Sequence, residues 1–432
     1  MIKGILRQVQ GWVKLKGATD GTMIGNVSDA LKVAPTNDQY TPSYVNFPDY
    51  QRDAFNRIRV SNVNTIFDYS FTSIVDFDVY WSQKLENGAT ATHDTNNASR
   101  QLSVTTTVGS RAIMQTRRHM EYRTGKSHRA YFTGNLNGIQ QGMRKRLGLF
   151  TANTGYFFEI TDTGARVVVR KNGADTKVEQ ADMNGDKLDG TGPSGFTGDI
   201  TKQKLYFIDV AWLGSNLVRF GQVISGQDII MHSYYTANVL ATPFTETAIL
   251  PFRVEIECIA TATVADSLKV TCFSYAYDGE SYLSSKLRNW DSGLTSITVN
   301  TTQKAVFGIR INPSYGESMV KLTEAIITLV SGNSEIRWQL LHNPTLTSPT
   351  WANSPNSVAQ TLTNATTISY SGGFVAAGGF VAIGDKGNAN LERTDIVLGH
   401  DMDNNFDVFL LVVETLSSNS KVLVDVDWEE YS

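Results

Sequence analysis

The stretch Gln203–Tyr235 reads QKLYFIDVAWL, GSN, LVRFGQVI, SGQ and DIIMHSYY. Three runs rich in β-branched and aromatic residues are separated by two three-residue connections, which is typical of antiparallel strands joined by hairpins. In the middle run, alternation places Val218, Phe220, Gln222 and Ile224 on one face and Arg219, Gly221 and Val223 on the other. The stretch therefore predicts a β-meander at the centre of a sandwich of two sheets.

The composition extends this interpretation to the rest of the chain. Of the 432 residues, 41% are apolar and only 19% are charged, and 35 are glycines suited to tight turns. The length predicts two or three domains. An uninterrupted apolar run of about 18 residues is absent from the sequence, which excludes a membrane-spanning helix of that kind. The first residues, MIKGILRQVQGWVKLKG, lack the apolar core and cleavage site of a secretion signal.

The spacing of turn signals divides the chain into three parts. Residues 1–50 contain a small hairpin and then a polar stretch with Pro35, Pro42 and Pro48, which predicts an extended arm. Residues 51–290 and 291–432 show strand-like runs between turns about 8–12 residues apart, as sandwiches do. We predict an all-β protein with two antiparallel, jelly-roll-like β-sandwiches after the N-terminal arm. A final strand with Val422, Val424, Val426 and Trp428 on one face is the clearest element near the C-terminus.

Charge and cysteine are unevenly placed. Arg100–Arg146 contains ten Lys or Arg residues and one acid, Glu121, whereas residues 401–432 contain eight acids and one base, Lys421. Solvated faces are the favoured interpretation, and docking of the acidic end onto the basic segment of a neighbouring subunit is the alternative. With a net charge of −4, nucleic acid is not an expected partner. Cys258 and Cys272 could face each other across a hairpin, but two buried thiols are favoured over a disulfide.

Two acidic loops carry oxygen ligands at alternating positions. They contain Asp182, Asn184, Asp186 and Asp189 in one loop and His400, Asp401, Asp403 and Asp407 in the other. An EF-hand loop needs Gly sixth and Glu twelfth, where the first loop has Lys187 and Pro193. Turns that bond their own backbone are favoured over calcium sites. His119 and His128, nine residues apart, lack zinc-motif spacing. We expect no metal site and no cofactor.

Motifs for catalysis are equally weak. The sequence holds no G-x-S-x-G or Walker-type loop, and GTGPSG loses an amide at Pro193. Glu159, Asp209 and Glu255 lie in predicted strands and are candidates for the paired carboxylates of a glycosidase, but none carries a motif. His232 is a further weak candidate. Aromatic residues that could stack on sugars are more often core residues; they are Trp81, Tyr122, Trp290 and Trp351. We predict no catalytic residues and no enzyme activity.

Several phrases resemble structural proteins of tailed bacteriophages. They are DGTMIGNVSDALKV near the N-terminus, AFNRIRVSNVNTIFDYS, DKLDGTGPSG and YFIDVAWLG followed by VRFGQVISG. The similarity covers most of the chain and carries no catalytic motif. The middle domain is also similar to concanavalin- or laminin-type jelly rolls, a fold often used for sugar binding, although a fold alone does not establish binding.

The resemblance implies a homo-oligomeric virion component, such as a fibre, spike, collar or capsid-decorating subunit. On this hypothesis the protein is located in the virion and forms a homotrimer. Residues 1–50 would bind other virion proteins and residues 291–432 would project or complete the subunit interface. The alternative is a lectin-like receptor-binding protein that recognises host surface glycan. A glycan-degrading enzyme is the third possibility.

Overall fold

The computed structural model describes residues 52–59, 62–279, 285–382, 386–390 and 396–431. Strands dominate these ranges, and the longest α-helix among them is the four-residue α1, Phe77–Tyr80. The all-β prediction is confirmed. Within the described residues, no helix is long and apolar enough to cross a membrane. The predicted arm, residues 1–50, lies outside the described residues.

Fifteen strands of the described residues build the first sandwich. They are β1 Val63–Ser70, β2 Trp81–Glu86, β3 Thr90–Asp94, β4 Ser99–Val104, β5 Arg111–Thr116, β6 His128–Asn135, β7 Met143–Phe150, β8 Gly155–Thr161, β9 Gly164–Lys171, β10 Ala174–Glu179, β11 Lys204–Ala211, β12 Leu217–Ile224, β13 Gln227–Tyr235, β14 Phe252–Cys258 and β15 Asp266–Asp278. One sheet has the order β13-β12-β11-β6-β15-β4-β3, with β1 also paired to β15. The other sheet has the order β10-β9-β8-β7-β14-β5-β2. Every pairing is antiparallel, so the sheets form the predicted sandwich.

The predicted meander is β11-β12-β13, at one edge of the eight-stranded sheet. Val218 and Phe220 face the core, and Ile224 packs against it, as alternation requires. The second connection is shorter than predicted. Gln227 already pairs with Ile224, leaving Ser225 and Gly226 as a two-residue turn with φ of 52° and 78°. Positive φ at both positions is the type I′ geometry that matches strand twist.

Aromatic rings fill the space between the two sheets. Phe252 of β14 stacks on Phe273 of β15 with centroids 4.1 Å apart, which joins one sheet to the other. Trp81, for which a core role was favoured over sugar stacking, is buried in the same core. Cys258 is buried on β14, while Cys272 is half-buried on β15 of the opposite sheet. Both thiols are free, which agrees with the favoured interpretation except that Cys272 is less buried than expected.

The second sandwich contains thirteen described strands. They are β16 Lys286–Asp291, β17 Ile297–Val299, β18 Lys304–Ile311, β19 Met319–Ser331, β20 Ile336–His342, β21 Thr345–Thr347, β22 Trp351–Asn353, β23 Ala359–Leu362, β24 Ser369–Ser371, β25 Phe374–Val381, β26 Lys386–Asn390, β27 Val408–Thr415 and β28 Ser420–Tyr431. One sheet is β16-β28-β19-β26, with β17 also paired to β28, and its partner is β22-β23-β18-β27-β20-β25. β21 and β24 form a separate pair.

The C-terminal strand β28 runs through the centre of its sheet. Its predicted inward residues, Val422, Val424, Val426 and Trp428, are all buried. Trp290, chosen from the sequence as the boundary between domains, lies in β16, which pairs with β28. The strand that holds the predicted boundary therefore belongs to the second sandwich.

Candidate functional site

The outer face of the seven-stranded sheet carries two of the three predicted carboxylates. Alternation turns Tyr156 and Phe158 of β8 into the core, so Glu159 points outward. Register places Glu159 between Arg146 of β7 and Arg166 of β9. Glu255 of β14 lies opposite Arg146 on the other side of β7. We call this surface the Arg–Glu face.

The carboxylates of the Arg–Glu face are paired with arginines. Glu159 accepts hydrogen bonds from the Nε atoms of Arg146 at 2.6 Å and Arg166 at 2.7 Å. Glu255 lies 3.0 Å from Arg253, 3.1 Å from Arg111 and 3.5 Å from Arg146. Both glutamates are about 1% exposed. Each carboxylate is therefore held between guanidinium groups and has little contact with solvent.

An aromatic floor supports these guanidinium groups. Phe150 and Phe157 lie 4.4 Å apart on the same face and form a small apolar cluster with Val168. The guanidinium of Arg170 lies 5.0 Å from the Phe157 ring, and that of Arg253 lies 5.5 Å from the Phe150 ring. Cations over ring faces are stabilised by the ring quadrupole, most strongly where water is excluded. The Arg–Glu face is thus a packed layer.

The charge state of the Arg–Glu face decides its chemistry. Burial would raise the pKa of Glu255, but Arg253, Arg111 and Arg146 outweigh it and lower the pKa to about 2. A glycosidase needs one carboxyl group whose pKa is raised so that it can donate a proton at neutral pH. Arg146 lies against both Glu159 and Glu255, so the two carboxylates share one guanidinium group. The lowered pKa of Glu255 keeps its carboxylate ionised at neutral pH, where it cannot donate a proton.

The third carboxylate, Asp209, lies on the outer face of the eight-stranded sheet. It is completely buried and accepts hydrogen bonds from Arg59 at 2.7 Å, Ser127 at 2.8 Å and Arg129 at 2.9 Å. Arg59 also binds Asp278 at 2.6 Å, and Arg129 also binds Asp228. Burial would raise the pKa of Asp209, but the charges of Arg129 and Arg59 lower it to about 2. We call this group the Asp209 network.

The Asp209 network holds residues 52–59 on the sheet. Arg219 of β12 donates to the backbone carbonyls of Arg52 and Asp53 at 3.1 and 3.0 Å. Ala54 packs in a small cluster with Ala211 and Leu217, and its backbone N–H donates to Ser127. The segment that follows the predicted arm is therefore attached by buried polar and apolar contacts.

Buried polar contacts also join the two sandwiches. Asp407, fully buried in the second sandwich, accepts from Arg117 of the first at 3.0 Å. The same carboxylate accepts from Asn343 Nδ2 at 2.7 Å and from the backbone N–H of Gly399 at 3.0 Å. A side chain at Gly399 would place its Cβ 2.2 Å from the carbonyl oxygen of Arg117, so this close approach requires glycine. We call these contacts the interdomain lock.

Two histidines complete the interdomain lock. The rings of His119 and His400 lie 4.8 Å apart, one from each sandwich, and the backbone N–H of His400 donates to the carbonyl of Arg117. Burial, together with the neighbouring His400, lowers the pKa of His119 to about 3. His119 is therefore neutral in the folded protein at any physiological pH.

Acidification is expected to weaken the folded state through His119. The unfolded chain takes up a proton there near pH 6.5 and the folded chain only near pH 3, so stability present above pH 6.5 is lost as the pH falls. At pH 5, protonation of His119 in the unfolded chain lowers the free energy of unfolding by about 2 kcal/mol. In His119→Phe the group is absent. The stability difference between wild type and variant should therefore shrink by about that amount between pH 7.5 and pH 5. Urea unfolding at both pH values measures it, and an unchanged difference would contradict the assignment.

The residues considered as calcium ligands form hydrogen bonds that stabilise loops. Asp186 accepts from the backbone N–H groups of Leu188 and Ser194, and Asp189 accepts from Thr191. Asn184 exchanges hydrogen bonds with the backbone of Ser233, and its own N–H donates to His232 Nδ1 at 3.3 Å. In the second acidic loop, Asp401 accepts from the N–H groups of Asp403 and Asn405. The contacts of Asp186, Asp189 and Asp401 are the self-bonded turns favoured from the sequence, whereas Asn184 connects its loop to β13. Among the described residues, no group of three or more His, Cys, Asp or Glu is placed to hold a metal ion.

Bases of the segment Arg100–Arg146 bind acids of the same chain. Lys145, 1% exposed, reaches from β7 to Asp266 of β15 at 2.5 Å and so connects the two sheets of the first sandwich. Arg144 binds Glu257 at 2.5 Å, and Arg117 binds Asp407, which belongs to the acidic end of the chain. These three cations therefore have acidic partners within the chain. Docking of the acidic end on a neighbouring subunit stays a prediction.

The other predicted aromatic residues have structural contacts. Tyr122 packs edge-on against Trp212, and its hydroxyl accepts from the backbone N–H of Leu213. Trp290 lies 4.8 Å from Phe307, and the Arg310 guanidinium lies 4.6 Å over Trp351.

Sequence reasoning identified the carboxylates but missed the arginines that neutralise them. The signal was present in KRLGLF, GYFFEIT, ARVVVRK and FRVEIE, where charged residues recur at alternate positions. In these four neighbouring strands, alternation places Arg146, Glu159 and Glu255 on one face, together with Arg166, Arg170 and Arg253, whereas Lys145 lies on the other. The pairs themselves become visible only once strand order and register are known.

Comparison with known proteins adds structural likenesses. No known protein family and no curated protein matches the chain. Similar solved structures include the CBM2 module of an evolved Dit protein of Lactobacillus casei BL23 phage J-1, at 9% identity and TM-score 0.35, covering 52% of this chain and 99% of that one. A glycosyl hydrolase family protein from Mycobacterium fortuitum shows 14% identity and TM-score 0.34, covering 49% and 100%. A legume lectin-like domain from Entamoeba histolytica shows 10% identity and TM-score 0.31, covering 50% and 98%. At such values, no shared function follows.

Proposed function

We propose that the chain is a non-enzymatic structural component of a tailed-bacteriophage virion, attached to the particle through residues 1–50. The observation that carries this proposal is the Asp209 network. A protein held on a particle by an arm needs a firm junction between the arm and its folded part. Arg59, nine residues after the arm, supplies this junction through two carboxylates that are at most 12% exposed, Asp209 and Asp278.

Two further observations support a scaffold over an enzyme. The Arg–Glu face neutralises the carboxylates that a glycosidase would need, since Arg146 lies against both Glu159 and Glu255. The interdomain lock joins the sandwiches through the buried Arg117–Asp407 pair, which favours one stiff body over two independently moving domains. The proposal includes self-association, as a homotrimer, and contact of the arm with other virion proteins. The phage-like sequence phrases supply the context of the particle.

Deletion of residues 1–50 is expected to leave a folded protein that no longer joins the particle. The folded part should persist because Arg59 and the Arg219 contacts to the carbonyls of Arg52 and Asp53 are retained. The measurement is the copy number of the truncated protein in purified particles, with circular dichroism and thermal melting of the isolated protein.

The matched control is the full-length variant Arg59→Ala, which keeps the arm and removes its junction with Asp209. We expect this variant to reach the particle, since the arm is present. Its folded part should then be separated from the arm by proteolysis near residues 52–59. Normal incorporation of the protein without residues 1–50 would overturn the proposal that the arm is the anchor.

A further inference from the structure

A cleft of about 890 Å³ lies between the two sandwiches. Its first wall is formed by β1, the loop that follows it and Tyr80 of α1. Its second wall contains Lys321 of β19 and Tyr431 at the end of β28. Glu121 and Arg123, from the connection between β5 and β6, lie between these walls. The volume is that of a pocket for a small organic ligand and is far larger than a packing defect.

The cleft combines aromatic rings with a fixed polar pair. Tyr80, Tyr277 and Tyr431 all contribute to its lining. Arg123 donates to Glu121 through Nη2 at 3.0 Å, and its guanidinium lies 5.5 Å from the Tyr431 ring centre. A carboxylate, a guanidinium group and an aromatic ring therefore lie side by side in the lining of the cleft.

The pair is positioned before any ligand arrives. The backbone N–H of Arg123 donates to His128 Nε2 at 2.9 Å, and His128 is buried beside Tyr275. The Tyr431 hydroxyl donates to Glu429 at 2.5 Å, which orients its ring. Side chains held by neighbours lose little conformational entropy on binding, which favours affinity.

The charges around the cleft indicate the class of ligand. Its described lining contains three acids, Asp68, Asp76 and Glu121, and three bases, Arg118, Arg123 and Lys321. This balance favours neither a polyanion nor a cation. Hydroxyl and amide groups from β1 and the following loop add donors and acceptors; they are Asn64, Thr65, Ser70, Thr72 and Ser73.

We propose that this interdomain cleft binds a neutral oligosaccharide. A pyranose has hydroxyl groups that need both donors and acceptors and a C–H-rich face that packs on aromatic rings, and the cleft offers each of these. The site is separate from the Arg–Glu face, whose carboxylates lie on β8 and β14 of the seven-stranded sheet. The inference goes beyond the proposed structural role and does not depend on it, because it concerns a surface of the isolated chain.

The test is a glycan array probed with the purified full-length protein. The array carries neutral oligosaccharides of glucose, galactose, mannose, rhamnose and N-acetylglucosamine, together with sialylated and sulfated oligosaccharides. We expect binding to at least one neutral series. For the best array oligosaccharide, calorimetry should show at least a tenfold loss of affinity in Tyr431→Ala, and thermal melting should confirm that this variant is folded.

A second variant tests the proposal even if Tyr431→Ala fails to fold. Thr65 is exposed on β1 at the cleft, and Thr65→Trp places a strand-compatible side chain into the space, so it should also abolish binding. Tyr235→Ala is the matched control, since that tyrosine is 62% exposed on edge strand β13 and does not line the cleft; it should bind like wild type. The proposal is overturned if no neutral oligosaccharide binds, if only anionic ones bind, or if both cleft variants retain wild-type affinity.

Discussion

Asp209→Ala is expected to lower the free energy of unfolding by about 3–5 kcal/mol, the usual cost of removing one partner from a buried ion pair. The carboxylate is completely buried, and its removal leaves two guanidinium groups, of Arg129 and Arg59, facing each other without a shared anion. Ser127 loses its acceptor as well. The loss is larger than that of a surface pair because water cannot replace the missing charge.

The same substitution should release residues 52–59 from the sheet. Urea unfolding measures the stability, and limited trypsin digestion after Arg57 measures the release, since Arg59 loses one of its two carboxylate partners. Asp228→Ala is the matched control. Asp228 binds the same Arg129, but its side chain is 18% exposed. Asp228→Ala should therefore lower the free energy of unfolding by less than half as much as Asp209→Ala. Equal losses in the two variants would contradict the central role of Asp209.

Asp407→Ala is expected to uncouple the two sandwiches. The substitution removes the acceptor of Arg117, Asn343 and the Gly399 N–H in a fully buried position, which costs about 3 kcal/mol or more. Since Arg117 crosses from the first sandwich to the second, the substitution should weaken the contact between the two sandwiches. Differential scanning calorimetry should show one transition for wild type and two for the variant.

Asp403→Ala provides a matched control four residues away. Asp403 also bridges the sandwiches, to Lys84 at 2.9 Å, but its side chain is 62% exposed. Screening by water makes such a pair worth little, so the variant should melt at the same temperature as wild type and keep one transition. A single, unshifted transition in Asp407→Ala would show that the interdomain lock does not couple the domains.

These two predictions concern residues that were visible in the sequence but could not be interpreted there. Asp209 was a weak catalytic candidate and Asp407 a weak calcium ligand. Arg59 is 150 residues from Asp209 in the chain, and Arg117 is 290 residues from Asp407. Sequence proximity carries no information about such pairs, because their meeting depends on how strands are ordered in sheets and how sheets face each other.

Local features were predicted more completely. The meander, the inward residues of β28 and the all-β class follow from period-two alternation, which the chain's stereochemistry imposes on any strand with a buried face. The type I′ turn at Ser225–Gly226 shows the limit of this reasoning, since one residue assigned to the connection pairs in the strand instead. Hydrogen bonding between strands decided that boundary.

By itself, the sequence determined the all-β class and the apolar faces of the meander and of β28, because period-two alternation depends on residues only one or two positions apart. Only the tertiary structure decided that Glu159 and Glu255 share Arg146, that Arg59 meets Asp209, and that Tyr431 lies beside Arg123. The reason is physical: the energy of a charged or aromatic side chain is set by the groups within a few ångströms of it. In an antiparallel sandwich, those groups come from strands far apart in the chain.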